Sequence, residues 1–368
     1  MRNYVLWLAG IFCIFCFAGF LWLINFDKSF DETIPASSDS SIAQQKIPFP
    51  SPKRIIFVNS YHQGYPWSDG ILNSFIKALD LKPQQGTNLW ESAGFLLAII
   101  YLDTKRNATE KSKLTAAVQA KKYIEHWRPD IVVTSDDNAV KYIVVPLVQE
   151  TSLPFVFTGV NWSAAEYDLP ANRGTGMIEV QPVDQIVAAL KFYGQIEQEE
   201  IVQRSEVCFL KGDDLSAVKE ADAFERFLGI SIRRHLVSDF DEWHSAYMEL
   251  QQECEVLLVG NAASIRGWDS VRAKEYIGTE TLIPTGTWDA WMREYVLLTF
   301  STVPAEHGEW AANAVRSILS GQSPADIPVT QNHKAKIYRN MAIAKDLDII
   351  FPMEFMRRSM AVLQDNPK

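Results

Sequence analysis

The chain has 368 residues, 47% of them hydrophobic, which is enough for two ordinary domains and too apolar for a disordered polypeptide. Its formal net charge of -10, without any extended Lys/Arg block, argues against nucleic acid or an anionic membrane surface as a partner. Four Cys are too few for a disulfide-rich scaffold.

Residues 4–24, "YVLWLAGIFCIFCFAGFLWLI", carry no charge and are long enough to span a bilayer as a helix. Arg2 precedes the run, and Asp27, Asp31 and Glu32 follow it, an order that sends the rest of the chain out of the cytoplasm. Two readings stand, an uncleaved anchor over residues 4–26 or a cleaved signal, and the length of the run favours the anchor. The expected location is therefore the periplasm, with attachment to the inner membrane. Residues 28–52 are rich in Ser, Pro and Gln and read as a flexible tether.

From residue 53 onward, strand and helix signals alternate. "RIIFVNS" reads as a buried strand, and apolar residues at helical spacing predict a helix over Asp69–Leu79, with Ser68 or Asp69 as its cap. "AIIYLD", an amphipathic stretch over Thr109–Trp127, "DIVVTSDD", a helix over Asn138–Glu150 and "LPFVFTGVN" follow. A second series starts after Pro170 with "TGMIEV", a helix over Asp184–Phe192, "EVCFLKGDD" and a helix over Leu215–Leu228. "SIRRHLV", a helix over Asp241–Glu253, "EVLLVGN" and "LIPTGTW" complete it. Such alternation means parallel sheets covered by helices, and two similar series mean two lobes facing a cleft. Cys208 has the character of a strand residue, so Cys208 and Cys254 are expected as two buried free thiols rather than a pair.

The polar strand ends are the candidate site, because ligands of open α/β sheets bind at the carboxyl ends of strands. "VNSYHQGYPWSDG" (58–70) places Tyr61, His62, Tyr65 and Trp67 there. Rigid aromatic rings with polar tips suit the rim of a small-molecule pocket, although packing of at least one ring is the plainer reading. "TSDDN" offers Ser135, Asp136, Asp137 and Asn138, either as helix caps or as ligand contacts. The six His lack metal-ligand spacing, and no nucleophile elbow, P-loop or dinucleotide fingerprint follows any strand. No enzymatic activity, metal or cofactor is implied.

These segments carry a resemblance. "VNSYHQGYPWSDG", "IIYLDTKRN", "VVTSDDNAV" and "PFVFTGVNW", with "EHGEWAANAVRSILSGQSPADIPV" and "NMAIAKDLDIIFP", together resemble the ABC-transporter-type substrate-binding proteins of the periplasmic-binding-protein type I fold. Within that family the chain is most similar to the branch found as extracytoplasmic sensor modules. The resemblance covers residues 53 to about 353. It implies two Rossmann-like lobes, the first formed by 53–162 plus 286–321 and the second by 163–285 plus 322–368, with ligand between them. Carried over to this sequence, the ligand-binding residues are Tyr61, His62, Tyr65, Trp67, Ser135, Asp136, Asp137, Asn138, Asn161 and Trp162. Glu179, Lys211, Asp213, Asn261 and Trp288 are added from the second lobe by position. The long apolar run, the acidic Ser-rich tether and the absence of a second span or output domain depart from the family pattern. The implied function is a monomeric, non-catalytic solute-binding protein that presents a small molecule to an ABC permease. The alternatives are a membrane-anchored sensing subunit for a separate signalling partner and, from another class, a periplasmic hydrolase.

Overall fold

The computed structural model describes residues 51–195 and 205–362. The expected apolar span falls outside them, as does nearly all of the tether. Among the described residues no helix is long and apolar enough to cross a membrane.

Two mixed, mostly parallel sheets organise the chain. The first has the order β13-β7-β6-β5-β1-β4-β3-β2, built from β1 (Lys53–Asn59), β2 (Lys82–Pro83), β3 (Leu89–Glu91), β4 (Phe95–Tyr101), β5 (Ile131–Ser135), β6 (Phe155–Asn161), β7 (Gly174–Glu179) and β13 (Thr330–Gln331). The second has the order β15-β14-β12-β11-β10-β8-β9. Its strands are β8 (Ser205–Gly212), β9 (Arg233–Val237), β10 (Cys254–Val259), β11 (Thr285–Thr287), β12 (Leu298–Thr302), β14 (Ala335–Arg339) and β15 (Ser359–Ala361). The central strands read as unbroken apolar runs because helices cover both faces: Ile55, Ile56, Phe57 and Val58 of β1 are all inaccessible to solvent.

Several expected boundaries move, each for a local reason. The first helix begins at Pro66, three residues earlier than expected, because proline suits the first helical turn. Asp69 does not cap that helix from outside; its carboxylate accepts from the Gly64 N–H at 3.0 Å. The helix expected from Asn138 starts at Asp136 and continues through a π-helical turn, Val140–Val144, to Glu150. The "PAD" of "PADIPV" forms a 3-10 turn, Pro324–Asp326, with β13 just beyond the segment.

Sheet membership also differs from the expected division of the chain. β7 pairs with β6 in the first sheet, and β11 and β12 extend the second. Gly174 and Gly176 explain the first difference: a Cβ at either position would lie 2.1–2.4 Å from the rings of Phe155 or Phe157, which lie across β7. The chain consequently crosses between sheets three times, after β7, after β12 and between β13 and β14. The pairing of Cys208 with Cys254 is a second correction. The two buried residues sit on adjacent strands with Cα atoms 6.0 Å apart and form a disulfide across 46 residues of sequence. Closing a loop of that length restricts the unfolded chain and so stabilises the fold.

The first sheet takes its outer helical layer from both ends of the chain. The helix Pro304–Leu319 packs closely along the helix Pro66–Ala78, and a Cβ on Gly308 would stand 2.0 Å from both the Ile71 carbonyl and the Ser74 hydroxyl. Gly308→Ala must push these helices apart. We expect it to lower stability by about 1–3 kcal/mol, read as a shift of the denaturant midpoint. An unchanged midpoint would mean that the two helices do not meet through this glycine.

Candidate functional site

The parallel strands β1, β4, β5, β6 and β7 deliver their following loops to one edge of the first sheet. The loops are knitted together below the surface. The buried Ser60 hydroxyl donates to the Ser135 carbonyl at 2.6 Å and accepts the Ala139 N–H at 2.8 Å, so it caps the helix that starts at Asp136. Thr104 donates to the Ser60 carbonyl at 2.8 Å and accepts from the Asn138 amide at 3.0 Å. Asn138, expected to contact ligand, is thus committed to holding the loop after β4. Ser135 makes no capping bond; its hydroxyl donates to Asp136 Oδ2 at 2.9 Å.

Asp136 is the centre of this edge. It is 2% exposed, its backbone is left-handed (φ +69°), and the Trp67 indole N–H donates to its Oδ1 at 2.9 Å. A left-handed, buried, non-glycine residue at a strand end is held there by its surroundings. Gly159 makes room for it, since a Cβ there would sit 3.3 Å from Asp136 Oδ1. Burial raises the Asp136 carboxyl to about 7 despite the donors Ser135 and Trp67, and the neighbouring Asp137 adds to the rise. Asp137 itself accepts from the Asn161 amide at 2.5 Å and the Tyr167 hydroxyl at 2.8 Å.

Glu179 closes the row at the end of β7. It is 8% exposed, and its Oε1 accepts from Gln181 at 2.9 Å and from Thr302, at the end of β12, at 3.4 Å. Burial lifts it to about 8, and the field of Asp136 contributes. The same residue therefore faces the site and lies at the chain crossings. Beside it Asn332 grips Val180 from both sides, accepting from its N–H at 2.7 Å and donating to its carbonyl at 3.1 Å. Glu306 receives the N–H groups of His333 and Lys334 at 3.0 and 2.8 Å.

The loop after β1 supplies the rim. Tyr61 and Tyr65 meet edge to face at 4.9 Å, with the Lys105 ammonium over both rings at 4.6 and 4.3 Å. The Tyr61 phenol is pushed well above its ordinary value by burial and then by Asp136, Tyr65, Glu179 and Asp137, which places it among these carboxyls. His62 faces Asp103 at 3.6 Å. The Trp67 ring packs edge-on to His307 at 5.3 Å. Burial holds His307 down at about 4, its Nδ1 lies 2.9 Å from the Thr158 hydroxyl, and its Nε2 is buried without a partner.

The second sheet contributes less than expected. Lys211 is buried, its stem pressed against Gly260 and its ammonium 2.5 Å from Glu220. Burial raises Glu220 above the usual carboxylate range, against the pull of Lys211 and a bond from Trp288. Trp288, expected to line the cleft, is 6% exposed. Its ring stacks on Phe209 and meets Phe224 edge to face, so it is packed among core aromatic rings. Trp162 is half-buried and packs on Phe224 and Phe227, reaching from the end of β6 to the second half. Asp213 is exposed, and Asn261 accepts the Ala263 N–H at 3.2 Å. Asp289 was not anticipated. Burial raises it, while bonds from Asn261 and Trp291 and the fields of Lys211 and Lys105 pull it down. Trp291 beside it is 69% exposed.

Sequence reasoning missed Lys105, Ser60, Thr104, Tyr167 and Asp289. A signal existed for Lys105 and Thr104, which follow "IIYLD" as Tyr61 follows "IIFVNS". Among the described residues no group of three or more His, Cys, Asp or Glu is placed to hold a metal ion.

Two measurements test this geometry. Trp67→Phe keeps the ring and removes the N–H, leaving a buried carboxyl short of a donor; it should cost about 1–3 kcal/mol in denaturant unfolding. No loss would mean that the indole bond does not stabilise the loop. The second test is stability against pH. Asp136 and Glu179 bind protons more tightly folded, at about 7 and about 8, than in the unfolded chain. Their contribution is most favourable at low pH and is lost as pH rises through those values. His307 acts oppositely, since its folded value of about 4 is depressed; its contribution is full above the unfolded value of ~6.5 and is lost as pH falls toward 4. Above pH ~6.5 the carboxyls alone remain, so the melting temperature of ligand-free protein should fall toward pH ~9. Asp136→Asn or Glu179→Gln should flatten that fall, and a rise with pH would contradict the assignment.

No protein-family model matches the chain, and no curated protein matches it in sequence. Solved structures do match. One is the ligand-free, open form of a substrate-binding protein with adhesive properties from Clostridium difficile, at 16% identity and a TM-score of 0.60 over 84% of this chain and 99% of that one. Another, from Streptococcus pneumonia and described as an ABC domain in complex with L-Trp, matches at 16% identity and a TM-score of 0.53 over 85% of this chain and 100% of that one. A conserved domain protein from Vibrio cholerae gives 16% identity and a TM-score of 0.53 over 84% and 99%. The chain has the type I periplasmic-binding-protein fold.

Proposed function

We propose that this protein is an exported solute-binding protein that closes two lobes around a small molecule and presents it to an ABC-type permease. The observation that carries this reading is the double position of Glu179, at the mouth of the first sheet and bonded to Thr302 where the chain crosses to the second. A solute touching Glu179 and the opposing Asp289 gains contacts to both halves only when they approach, so it stabilises the closed state by differential affinity. Two of the similar structures are described as a substrate-binding protein and a complex with L-Trp, which supports a small-molecule cleft here. In this reading the lobes are the two sheets with their helices, and residues 4–26 anchor them near the membrane partner.

A metabolite screen by thermal melting, followed by small-angle scattering, tests the reading. A true ligand at 100 times its dissociation constant should add about 2.7 kcal/mol of stability and reduce the radius of gyration. A protein that responds to no metabolite, yet turns over a generic ester or phosphate substrate, would overturn it.

A further inference from the structure

The two buried carboxyls of the cleft accept hydrogen bonds from no cation, although the field of Lys105 reaches Asp136. Asp136 is met by Trp67, Ser135 and Ser68, and Glu179 by Gln181 and Thr302, all neutral donors. Both hydrogen bonds to Glu179 fall on Oε1, which leaves Oε2 for a ligand. Other charged and titratable groups around the pair do not supply the missing cation. Asp137 and Tyr61 add negative or neutral character, and Glu220 occupies the Lys211 ammonium on the facing side. Lys105 rests on the Tyr61 and Tyr65 rings with its ammonium 2.6 Å from the Tyr65 hydroxyl. Its position shows independently that this rim accepts an ammonium against aromatic faces. A carboxylate buried without a bonded counter-charge is costly, so burial favours the protonated form of both carboxyls.

We propose that the cleft selects a solute bearing a protonated amine, seats its ammonium against Glu179 in the field of Asp136, and releases protons from these carboxyls to solvent as it binds. The proposal rests on the solute-binding reading and names its ligand class. An anionic solute would instead meet four carboxyls, those of Asp136, Asp137, Glu179 and Asp289, offset by Lys105 and by a Lys211 already paired with Glu220.

Three probes share one ring and differ in charge: tryptamine, tryptophol and indole-3-acetate. Titration calorimetry of the full chain at neutral pH, in phosphate and again in Tris, reads affinity and proton release together. Tryptamine should bind, with heats that differ between the buffers because protons are released. Its dissociation constant should fall as pH rises from ~6 to ~8, by up to about tenfold per pH unit for each proton released. Glu179→Gln should remove most of the buffer dependence and weaken tryptamine. The pH series on the unaltered protein carries the test if that variant does not fold. Tryptophol or indole-3-acetate binding as tightly as the amine, equal heats in both buffers, or no binding of tryptamine would each overturn the proposal. A neutral or anionic metabolite that shifts the melting temperature would defeat the amine assignment and leave the solute-binding reading intact. A screen in which no metabolite binds would defeat both.

Discussion

Three neighbouring chain crossings, tied to one another by hydrogen bonds, are the constraint on which the arrangement of the two sheets depends. Asn332 clamps Val180, Thr302 reaches Glu179, and Glu306 collects the N–H groups of His333 and Lys334. One crossing would let the halves swivel freely; three tied together leave bending as the easy motion. Because Glu179 is part of that knot, the charge state of the cleft and the geometry of the crossings share a residue.

The loops around Asp136 are rigid for a related reason. Its left-handed backbone and buried carboxyl are both unfavourable in isolation. They persist because Ser60, Thr104 and Asn138 join the loops after β1, β4 and β5, while Trp67 and Ser135 satisfy the carboxyl. Local strain of this kind is tolerable only where several hydrogen bonds determine one arrangement. The same bonds fix the loop that carries the aromatic rings of Tyr61 and Tyr65.

The second half is built differently. Its buried aromatic side chains, Phe209, Phe224 and Trp288, pack on one another and receive Trp162 from the first half. The Lys211–Glu220 pair is enclosed beside them, and the Cys208–Cys254 disulfide ties β8 to β10. This half contributes few polar groups beside the first sheet's loop edge, chiefly Asp289 and Asn261.

Periodicity in the sequence was sufficient for the α/β class, the parallel central strands and the polar edge at Tyr61–Trp67 and Ser135–Asn138, because buried parallel strands and amphipathic helices leave local patterns. The family resemblance, not periodicity, named Asp136 and Glu179 as ligand-binding candidates, with Glu179 expected in the second lobe, whereas β7 carries it in the first sheet. Pattern alone did not reveal which side chains at that edge are spent on each other, as Asn138 is on Thr104 and Trp67 on Asp136, since those partners lie 34 and 69 residues apart. Trp288 looks the same as Trp67 in a string of letters. Only packing between Phe209 and Phe224 turns it into core. The pairing of β7 with β6, the joining of Cys208 to Cys254 and the meeting of Lys105 with Tyr61 and Tyr65 are likewise long-range. Tertiary structure decided them because they depend on the sheet order and the loop paths, which no local window of sequence contains.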